Sequence, residues 1–575
     1  MSKARQGVKK EDLSIVLCGQ AGQGVQTVEH VLTRVLKQAG YYVFATKEYM
    51  SRVRGGANSV TIRVSGKPVA AYVSRMDVLV ALNNGAIAHV DERLSSETIV
   101  LAEPDALIDV DPKAARLFEV PFTDMAAEIG NKIYSNVVAV GAIAGLLGLD
   151  VSETSDYVKR FFARKSEDLV ANNVKAVQAG YEAAGKLGLP NEVKLDVRRS
   201  EKIKNDLLLS GDEAVGLGAI AGGCDFISSY PMSPATGVLL FLAKHGVEHG
   251  VLAEQAEDEI SAINMSLGAW YAGARAMVST SGGGFALMTE GLSLAGMIES
   301  PIVIHLAQRP GPATGLPTRS EQGDLELALY AGHGEFPRLI FAPGTLQRAF
   351  ELSHKAFDLA DRYQVPVFIL TDQYLMDTYY NIRDLKLAKA KVNKHIVETT
   401  EDYRRYKVTK NGISPRGIPG YGQGLVAVDS DEHDEEGHIT EDMNVRVRMV
   451  DKRLAKAEAL KKKAIAPELV GPEDYRTLVI CWGSTYHVVK EALEQLGRKR
   501  TAMLHFSQVF PLHPSTAEIV KKAKKTIVVE NNATGQFRKL LRLYAGLETN
   551  EGLVKYDGLS FSVEEIMEGL RQIDY

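Results

Sequence analysis

The chain has 575 residues, which exceeds the size of a single hydrophobic core and indicates three or four domains. Hydrophobic residues make up 45% of it and charged residues 24%, as in ordinary globular proteins, and the net charge of −5 offers no attraction to nucleic acid. The first residues, MSKAR, do not resemble an apolar signal segment, and no apolar run is long enough to cross a membrane, so we expect a cytoplasmic protein.

Three cysteines, Cys18, Cys224 and Cys481, lie in three different regions and form no CxxC pair. An iron–sulfur cluster usually needs four thiolates, so this chain alone cannot house one. We interpret all three cysteines as buried small hydrophobic residues.

The first block of the sequence begins with an apolar strand at 13–18, followed by a glycine-rich loop and an amphipathic helix. Further strands are predicted at 59–64, 78–82 and 98–102. Strands separated by helices imply a parallel sheet with helices on its faces.

The glycine-rich loop after the first strand is a candidate anion site, because backbone N–H groups and a helix dipole meet there. Its GxxGxG spacing differs from GxGxxG, so NAD is not expected, and a simple tight turn is an equally common interpretation. A later glycine-rich run carries two arginines, either an ordinary surface pair or partners of a phosphate or carboxylate. The candidates are Gly22, Gly24, Arg52, Arg54 and Asn58.

Two polar stretches divide the sequence into three α/β blocks. Residues 186–206 are charged and typical of a linker, and residues 379–470, rich in charge, Gly and Pro, form a long connector. We therefore predict α/β domains at 1–185, 207–378 and 471–575.

Strands of the middle block end in residues suited to binding a ligand. The strand at 226–229 leads into Tyr-Pro-Met-Ser-Pro, which places the Ser233 hydroxyl on a rigid loop. The strand at 277–280 leads into Ser-Gly-Gly-Gly, and the strand at 302–307 leads to Arg309. Ligands bind at the carboxyl ends of strands in α/β sheets. A capped proline turn and a surface arginine are the alternative interpretations.

The segment EQAEDEISAINMSLG, residues 254–268, places acidic residues before a small, apolar helix. Glu254, Glu257 and Asp258 fit an acidic cluster that matches the helix dipole. Glu259 is followed at once by residues of a buried type, where a carboxylate is costly unless something takes up its charge or proton. We interpret Glu259 as a candidate catalytic residue.

Together these segments resemble the α subunit of 2-oxoacid:ferredoxin oxidoreductases, in the form with a γ domain fused at the N terminus. GQAGQG and RVRGGAN resemble the γ domain, and VENNATGQF resembles the transketolase C-terminal-like domain. YPMSP, AEDEISAI, TSGGGFALMTEGL and RPGPATGLPTRSEQGDL resemble the thiamine diphosphate pyrimidine-binding domain. The sequence departs from the family's usual Tyr-Pro-Ile-Thr-Pro and Ser-Gly-Pro-Gly, which are Tyr-Pro-Met-Ser-Pro and Ser-Gly-Gly-Gly here.

The resemblance implies a thiamine-dependent enzyme that converts 2-oxoglutarate, coenzyme A and oxidised ferredoxin to succinyl-CoA, CO₂ and reduced ferredoxin. The reverse reaction is a reductive carboxylation, as in the reductive tricarboxylic acid cycle. Pyruvate and branched-chain 2-oxoacids are the alternative substrates. Another thiamine-dependent enzyme and a non-catalytic CoA-binding protein are the alternative functions.

The resemblance also implies partners and residue roles. Thiamine diphosphate lies between α and β subunits of a dimer of αβ units, and the β subunit holds Mg²⁺ and a [4Fe–4S] cluster. Glu259 falls on the family's catalytic glutamate, which hydrogen-bonds the aminopyrimidine. The other implied cofactor-binding residues are Pro231, Ser281, Gly282 and Gly283. The implied substrate-binding residues are Tyr230, Ser233, Arg309, Thr314 and Arg319, and the γ domain binds or covers coenzyme A.

Residues 429–442 contain His433, His438 and several carboxylates, a composition that invites comparison with metal sites. Nothing in so polar a loop fixes four convergent ligands. The family resemblance implies an ordered loop near a subunit interface, and we expect no metal site in this chain.

Overall fold

The computed structural model describes residues 8–20, 24–50, 56–108, 111, 115–195, 199–385 and 392–573. The chain divides into two compact units. One comprises Met1–Leu209 and Thr378–Asp384, and the other Ser210–Asp377 and Leu385–Tyr575. Among the described residues, no helix has both the length and the apolar character needed to span a membrane.

The strands follow one another along the chain in an α/β pattern. They are β1 Val8–Lys10, β2 Asp12–Gln20, β3 Tyr42–Glu48, β4 Ala57–Ser65, β5 Val78–Ala81, β6 Ile99–Ala102, β7 Arg116–Glu119, β8 Val193–Leu195, β9 Leu207–Ser210, β10 Phe226–Ser229, β11 Leu252–Gln255, β12 Ala276–Thr280, β13 Ile302–Gln308, β14 Leu339–Phe341, β15 Pro366–Asp372, β16 Tyr379–Ile382, β17 Glu468–Val470, β18 Thr477–Trp482, β19 Thr501–Phe506, β20 Gln508–Phe510, β21 Lys525–Glu530 and β22 Glu551–Val554.

The α-helices are interleaved with these strands. They are α1 Val25–Gln38, α2 Ala86–His89, α3 Phe122–Ile129, α4 Ser135–Leu146, α5 Val151–Phe162, α6 Glu167–Lys186, α7 Gly211–Ala221, α8 Thr236–His245, α9 Glu259–Tyr271, α10 Gly282–Leu287, α11 Thr289–Met297, α12 Leu325–Tyr330, α13 Leu346–Tyr363, α14 Gln373–Asp377, α15 Met443–Lys462, α16 Tyr486–Leu496, α17 Thr516–Lys521, α18 Gln536–Ala545 and α19 Val563–Ile573.

The first unit is built on a mixed sheet of order β7-β6-β5-β2-β4-β3-β16-β9. β2 pairs parallel with β5 but antiparallel with β4, and β3 pairs antiparallel with β4. The prediction of a parallel sheet is therefore wrong for this side of the unit. β3 ends at Glu48 and β4 begins at Ala57, and short connections join antiparallel strands.

Helices cover this sheet in two ways. α1 buries Val28, Leu32 and Leu36, as its 3.6-residue repeat predicts. α4 instead buries every residue from Asn136 to Leu146, because it packs closely against α6. A Cβ built at Gly141 would overlap the backbone carbonyl of α6, so glycine is needed for the two helices to approach.

The second unit contains two sheets. The larger has the order β11-β10-β12-β13-β15-β14-β20, and its strands run parallel from β11 to β14. The smaller has the order β17-β19-β18-β21-β22 and is parallel except for β17. β20 leaves the C-terminal block and pairs antiparallel with β14, which joins that block to the larger sheet. The predicted α/β class is confirmed.

Strands at the edges of the predicted segments belong to sheets of neighbouring blocks: β9 begins the predicted middle domain, and β16 and β17 lie at the two ends of the predicted connector. β9 and β16 join the first sheet, and β17 joins the third. The domain boundaries given above remain predictions.

The connector contains α15, a 20-residue helix that the sequence analysis did not predict. Lys452 and Lys456 of this helix are buried, and both pair with the buried carboxylate of Glu299. The two ammonium groups lower the pKa of Glu299 well below its usual range despite burial. Because the inner face of α15 carries lysines, the helix lacks the apolar repeat that would have indicated it.

Candidate active site

Four segments meet at the carboxyl edge of the larger sheet of the second unit. The Tyr-Pro-Met-Ser-Pro turn follows β10, α9 follows β11, α10 follows β12, and a long loop follows β13. Since β10 to β13 are parallel neighbours, these segments leave the sheet at the same edge. The predicted convergence of the candidate residues is thus a direct consequence of strand order.

Glu259 is the first residue of α9, and it does not cap the helix. Asp258 is the N-cap, with its carboxylate accepting a hydrogen bond of 2.7 Å from the N–H of Ser261. Glu254 lies in β11, so placing it in the helix-capping cluster is wrong. The side chain of Glu259 is buried, and its Oε1 atom has no hydrogen-bond partner among the described residues. Burial raises its pKa, the charge of Asp258 adds to this, and Arg309 opposes it.

The serine–glycine run after β12 forms a wall beside this carboxyl group. A Cβ built at Gly284 would overlap both Glu259 Oε1 and Thr280 Oγ1. Ser281 is buried, and its Oγ atom has no partner in the described part of the chain. A Cβ at Gly283 would lie 3.4 Å from the carbonyl oxygen of Ala313, so the run also touches the loop after β13.

Arg309 follows β13 directly and reaches the turn after β10. Its Nη1 atom donates a hydrogen bond of 2.7 Å to the carbonyl oxygen of Ser233. Its Nε atom is buried and has no partner in the regions that the structure describes. Burial lowers the pKa of the guanidinium, and the charges of Asp324 and Glu259 oppose that shift. The structure therefore brings Ser233, Arg309 and Glu259 into one neighbourhood.

Asp324 is a member of this group that the sequence analysis did not single out. It precedes α12 but makes no side-chain cap, and a Cβ built at Gly282 would overlap its carboxylate. Its Oδ2 atom is buried without a partner among the described residues. Burial raises the pKa of Asp324 to about 7, helped by Glu321 and opposed by Arg309. The only signal in the sequence was an acid after Gly323, which also fits an ordinary N-cap.

The other substrate-side candidates lie farther out on the two loops. Tyr230 and Thr314 are exposed at the surface, with 40% of Tyr230 accessible. Arg319 packs against the C-terminal block, where a Cβ at Gly558 would lie 3.3 Å from Arg319 Cβ. Pro231 is half-buried beside the Ser233 turn.

The polar groups in the sheet beneath the site are paired. The ring of the buried His305 lies between two hydroxyls, with Nδ1 2.8 Å from Ser279 Oγ and Nε2 2.9 Å from Thr371 Oγ1. Burial lowers the pKa of His305 to about 3, so the imidazole is neutral. His305 therefore supports the sheet and does not present a free acid or base to the site.

The coenzyme A candidates are only partly covered by the structure. Gly22, Arg52 and Arg54 lie outside the described residues. Gly24 has a φ of 74° just before α1, and a Cβ there would overlap the side-chain amide of Asn136. Asn58 lies in β4, and its Oδ1 atom accepts a hydrogen bond of 3.1 Å from the N–H of Met50.

Histidine and cysteine side chains serve structural roles. Within the described residues, no group of three or more His, Cys, Asp or Glu side chains is placed to hold a metal ion. His433 is fully buried and packs on the ring of Tyr406 with centroids 3.8 Å apart. The three cysteines are buried, as predicted, and burial raises the pKa values of Cys18 and Cys224 to about 12.

Two protein families match the sequence. The family described as pyruvate flavodoxin/ferredoxin oxidoreductase, thiamine diphosphate-binding, matches residues 217–452 and therefore includes the site. The family described as pyruvate ferredoxin/flavodoxin oxidoreductase matches residues 14–183.

Relatives align over nearly the whole chain. A 2-oxoacid:ferredoxin oxidoreductase subunit alpha from Sulfolobus is 31% identical, over 98% of this chain and 97% of the relative. The 2-oxoglutarate oxidoreductase subunit KorA from Mycobacterium tuberculosis is 27% identical, over 97% of this chain and 90% of the relative. The fold is similar to 2-oxoglutarate:ferredoxin oxidoreductase from Magnetococcus marinus, solved with 2-oxoglutarate, coenzyme A and succinyl-CoA bound. The two structures superpose with a TM-score of 0.91 and share 29% sequence identity. The match covers 98% of this chain and all of the Magnetococcus marinus chain.

Replacing Gly284 by alanine tests how tightly the wall encloses Glu259. We expect Gly284→Ala to destabilise the protein by about 1–3 kcal/mol, or to rotate the Glu259 carboxylate away, because the new methyl group overlaps it. Chemical denaturation and a crystal structure of the variant measure these two effects. Gly268→Ala, in α9 with no atom within 4 Å of the added Cβ, is the control and should be neutral or slightly stabilising. Unchanged stability with Glu259 in place would contradict the prediction.

Proposed function

Since the chain belongs to the family of 2-oxoacid:ferredoxin oxidoreductase α subunits with an N-terminally fused γ domain, we propose that it acts on 2-oxoglutarate. In the proposed reaction 2-oxoglutarate, coenzyme A and two oxidised ferredoxins give succinyl-CoA, CO₂, a proton and two reduced ferredoxins, reversibly. The substrate named for the Magnetococcus marinus enzyme and for the Mycobacterium tuberculosis relative supports this choice.

The observation that carries the proposal is the buried Oε1 atom of Glu259, which has no hydrogen-bond partner among the described residues. A carboxyl in such a place needs a partner that exchanges a proton or a hydrogen bond with it. The N1′ atom of the aminopyrimidine of thiamine diphosphate is such a partner. When bound, this cofactor supplies the reactive carbon and the electron sink for decarboxylation.

The residues of this chain have separate tasks in the proposal. Glu259 holds the proton at N1′ of the pyrimidine, and its raised pKa suits that task. Pro231, Ser281, Gly282 and Gly283 line the cofactor side. Arg309 binds the carboxylate next to the keto group, because a guanidinium matches a carboxylate with two hydrogen bonds. Ser233, fixed next to Arg309, contacts the keto oxygen, and Tyr230 and Thr314 close the substrate side.

The proposal requires a β subunit. With three buried cysteines in three separate blocks, this chain lacks the four thiolates of a [4Fe–4S] cluster, so we assign the cluster, Mg²⁺ and the diphosphate contacts to β. Thiamine sites pair across two-fold axes, which favours a dimer of αβ units that passes electrons to ferredoxin. A cytoplasmic location remains a prediction.

We assign coenzyme A to the γ-type unit, at the start of α1. The helix N terminus and the left-handed Gly24 offer N–H groups to a phosphate, and Arg52 and Arg54 supply charge. Gly22 and Asn58 complete this candidate set.

Co-expression with a β subunit tests the function directly. The purified complex should be brown, and it should reduce ferredoxin when given 2-oxoglutarate and coenzyme A under anaerobic conditions. Faster turnover of pyruvate or a branched-chain 2-oxoacid would change the substrate assignment. A colourless active complex, or no activity with any 2-oxoacid, would overturn the oxidoreductase proposal.

Replacing Glu259 by glutamine tests the cofactor contact. Glu259→Gln keeps size and packing but cannot exchange the proton, so turnover should fall by about a hundredfold or more. Exchange of the cofactor's C2 proton, followed by NMR, should slow in parallel. Glu257→Gln, an exposed neighbour that accepts a hydrogen bond from Ser261, is the control and should stay close to wild type. Wild-type exchange in Glu259→Gln would remove Glu259 from the mechanism.

Replacing Arg309 by methionine tests the carboxylate contact. Arg309→Met removes a charge-assisted hydrogen-bond donor, which should weaken substrate binding by about 2–3 kcal/mol. The loss should appear in kcat/KM for the 2-oxoacid, while the KM for coenzyme A stays the same. Arg319→Met is the comparison, and a larger effect there would move the carboxylate contact ten residues along the loop.

A further inference from the structure

The C-terminal block holds the loop that leads to Asp324. Gln322 and Asn531 exchange two hydrogen bonds: the N–H of Gln322 donates to Asn531 O at 2.7 Å, and the N–H of Asn531 donates to Gln322 Oε1 at 2.9 Å. Asn532 Nδ2 donates to Gln322 O at 3.1 Å, and Gln536 Nε2 donates to Gly323 O at 2.7 Å. The backbone before Asp324 is thus fixed from the C-terminal side at two consecutive residues.

Two further contacts fix Asp324 and the helix that follows it. The N–H of Asp324 donates to Gln308 Oε1 at 3.0 Å, which ties it to the end of β13 next to Arg309. The N–H of Glu326 donates to Gln536 Oε1 at 2.9 Å. The backbone of Asp324 is therefore held on both sides, whereas its carboxyl atom Oδ2 is buried and has no partner among the described residues.

We propose that Asp324 is a further substrate-binding residue of this site, which takes up a proton as the 2-oxoacid binds, and that the C-terminal block positions it through Gln536. This inference rests on the proposed function. The charges of Asp324 and Glu259 both act to raise the pKa of Arg309, and neither residue forms an ion pair with it in the described residues. The carboxyl of Asp324 therefore shares the anion-binding side of the site with Arg309.

The charge balance of the site explains why Asp324 takes up a proton when the substrate binds. With Glu259 and Asp324 both ionised, one guanidinium faces two carboxylates, and an anionic substrate would be repelled. A protonated Asp324 removes one negative charge and offers an O–H donor to the incoming oxygen. The groups that act on its titration are Glu321, which favours the neutral form, and Arg309, which favours the charged form. Burial raises its pKa to about 7, so the free carboxyl loses this proton as the pH rises above neutrality.

The test uses the assembled αβ complex loaded with a thiamine diphosphate analogue blocked at C2, so that the probe, 2-oxoglutarate, binds without being decarboxylated. Calorimetry at about pH 8 in two buffers of different ionisation enthalpy should show uptake of about one proton per 2-oxoglutarate bound. The Kd should rise about tenfold per pH unit above about pH 7. No proton uptake by the wild-type complex would overturn the proposal without any variant.

Asp324→Asn assigns the proton. The amide keeps the shape and a hydrogen-bond donor but does not titrate, so proton uptake should disappear and the Kd should become independent of pH above neutrality. At about pH 8.5 this variant should bind 2-oxoglutarate roughly thirtyfold more tightly than wild type. A pH profile identical to that of wild type would overturn the role of Asp324. A wild-type complex that binds or turns over no 2-oxoacid would instead refute the proposed function.

Gln536→Glu tests the positioning role separately. Its oxygens can still accept the hydrogen bond from the N–H of Glu326, but the donor to Gly323 O is lost. We expect the Kd for 2-oxoglutarate to rise about tenfold at every pH with an unchanged thermal transition, about the effect of one lost hydrogen bond. Lys539→Gln, which breaks the exposed ion pair with Glu326 from the same helix, should leave the Kd unchanged. A wild-type Kd in Gln536→Glu would refute the positioning role.

Discussion

The site depends on charged and polar side-chain atoms that are buried away from water and have no hydrogen-bond partner among the described residues. Glu259 Oε1, Ser281 Oγ, Arg309 Nε and Asp324 Oδ2 are all buried and unpartnered within the described residues. Each such atom costs about 1–3 kcal/mol of folding free energy, which the packing of the surrounding sheets and helices must offset. All four atoms lie at the carboxyl edge of one parallel sheet, where α/β folds bind ligands.

Two clusters of buried charges elsewhere in the second unit are held by ion pairs. Glu299 meets two lysines of α15, and Asp361 accepts from the guanidinium groups of both Arg275 and Arg416. In these clusters the charged groups pair with one another, and the ion pairs hold the connector against the rest of the second unit. Burial of a charged group alone therefore does not identify function in this chain. The ion pairs of Lys452 and Lys456 with Glu299 hold α15 in place, whereas Glu259 Oε1, Arg309 Nε and Asp324 Oδ2 lie together without partners among the described residues.

The sequence predicted most of the elements that build the site, because they carry local signals. The apolar strands β10, β12 and β13, the rigid proline turn and the glycine run are each encoded within a few residues. The antiparallel β3–β4 pair was not predicted, although a short connection joins these strands. The helix α15 was not predicted because its buried face carries lysines that pair with Glu299, which is distant in the sequence. Asp324 was not predicted for the same reason. Its burial comes from Gly282 and its position from the C-terminal block, and neither lies near it in sequence.

The contacts around Asp324 also explain why the C-terminal block belongs to the catalytic unit. That block contributes no unpartnered buried carboxylate or guanidinium among its described residues. It does contribute a row of amide groups that bind the backbone of the substrate-side loop, from Ser320, which donates to Gly558 O, to Glu326. A loop of that length would otherwise sample many conformations, and ordering it costs about 1–2 kcal/mol per residue. In the proposed function this order is present before the substrate binds, so the block lowers the entropy cost of binding without contacting the ligand.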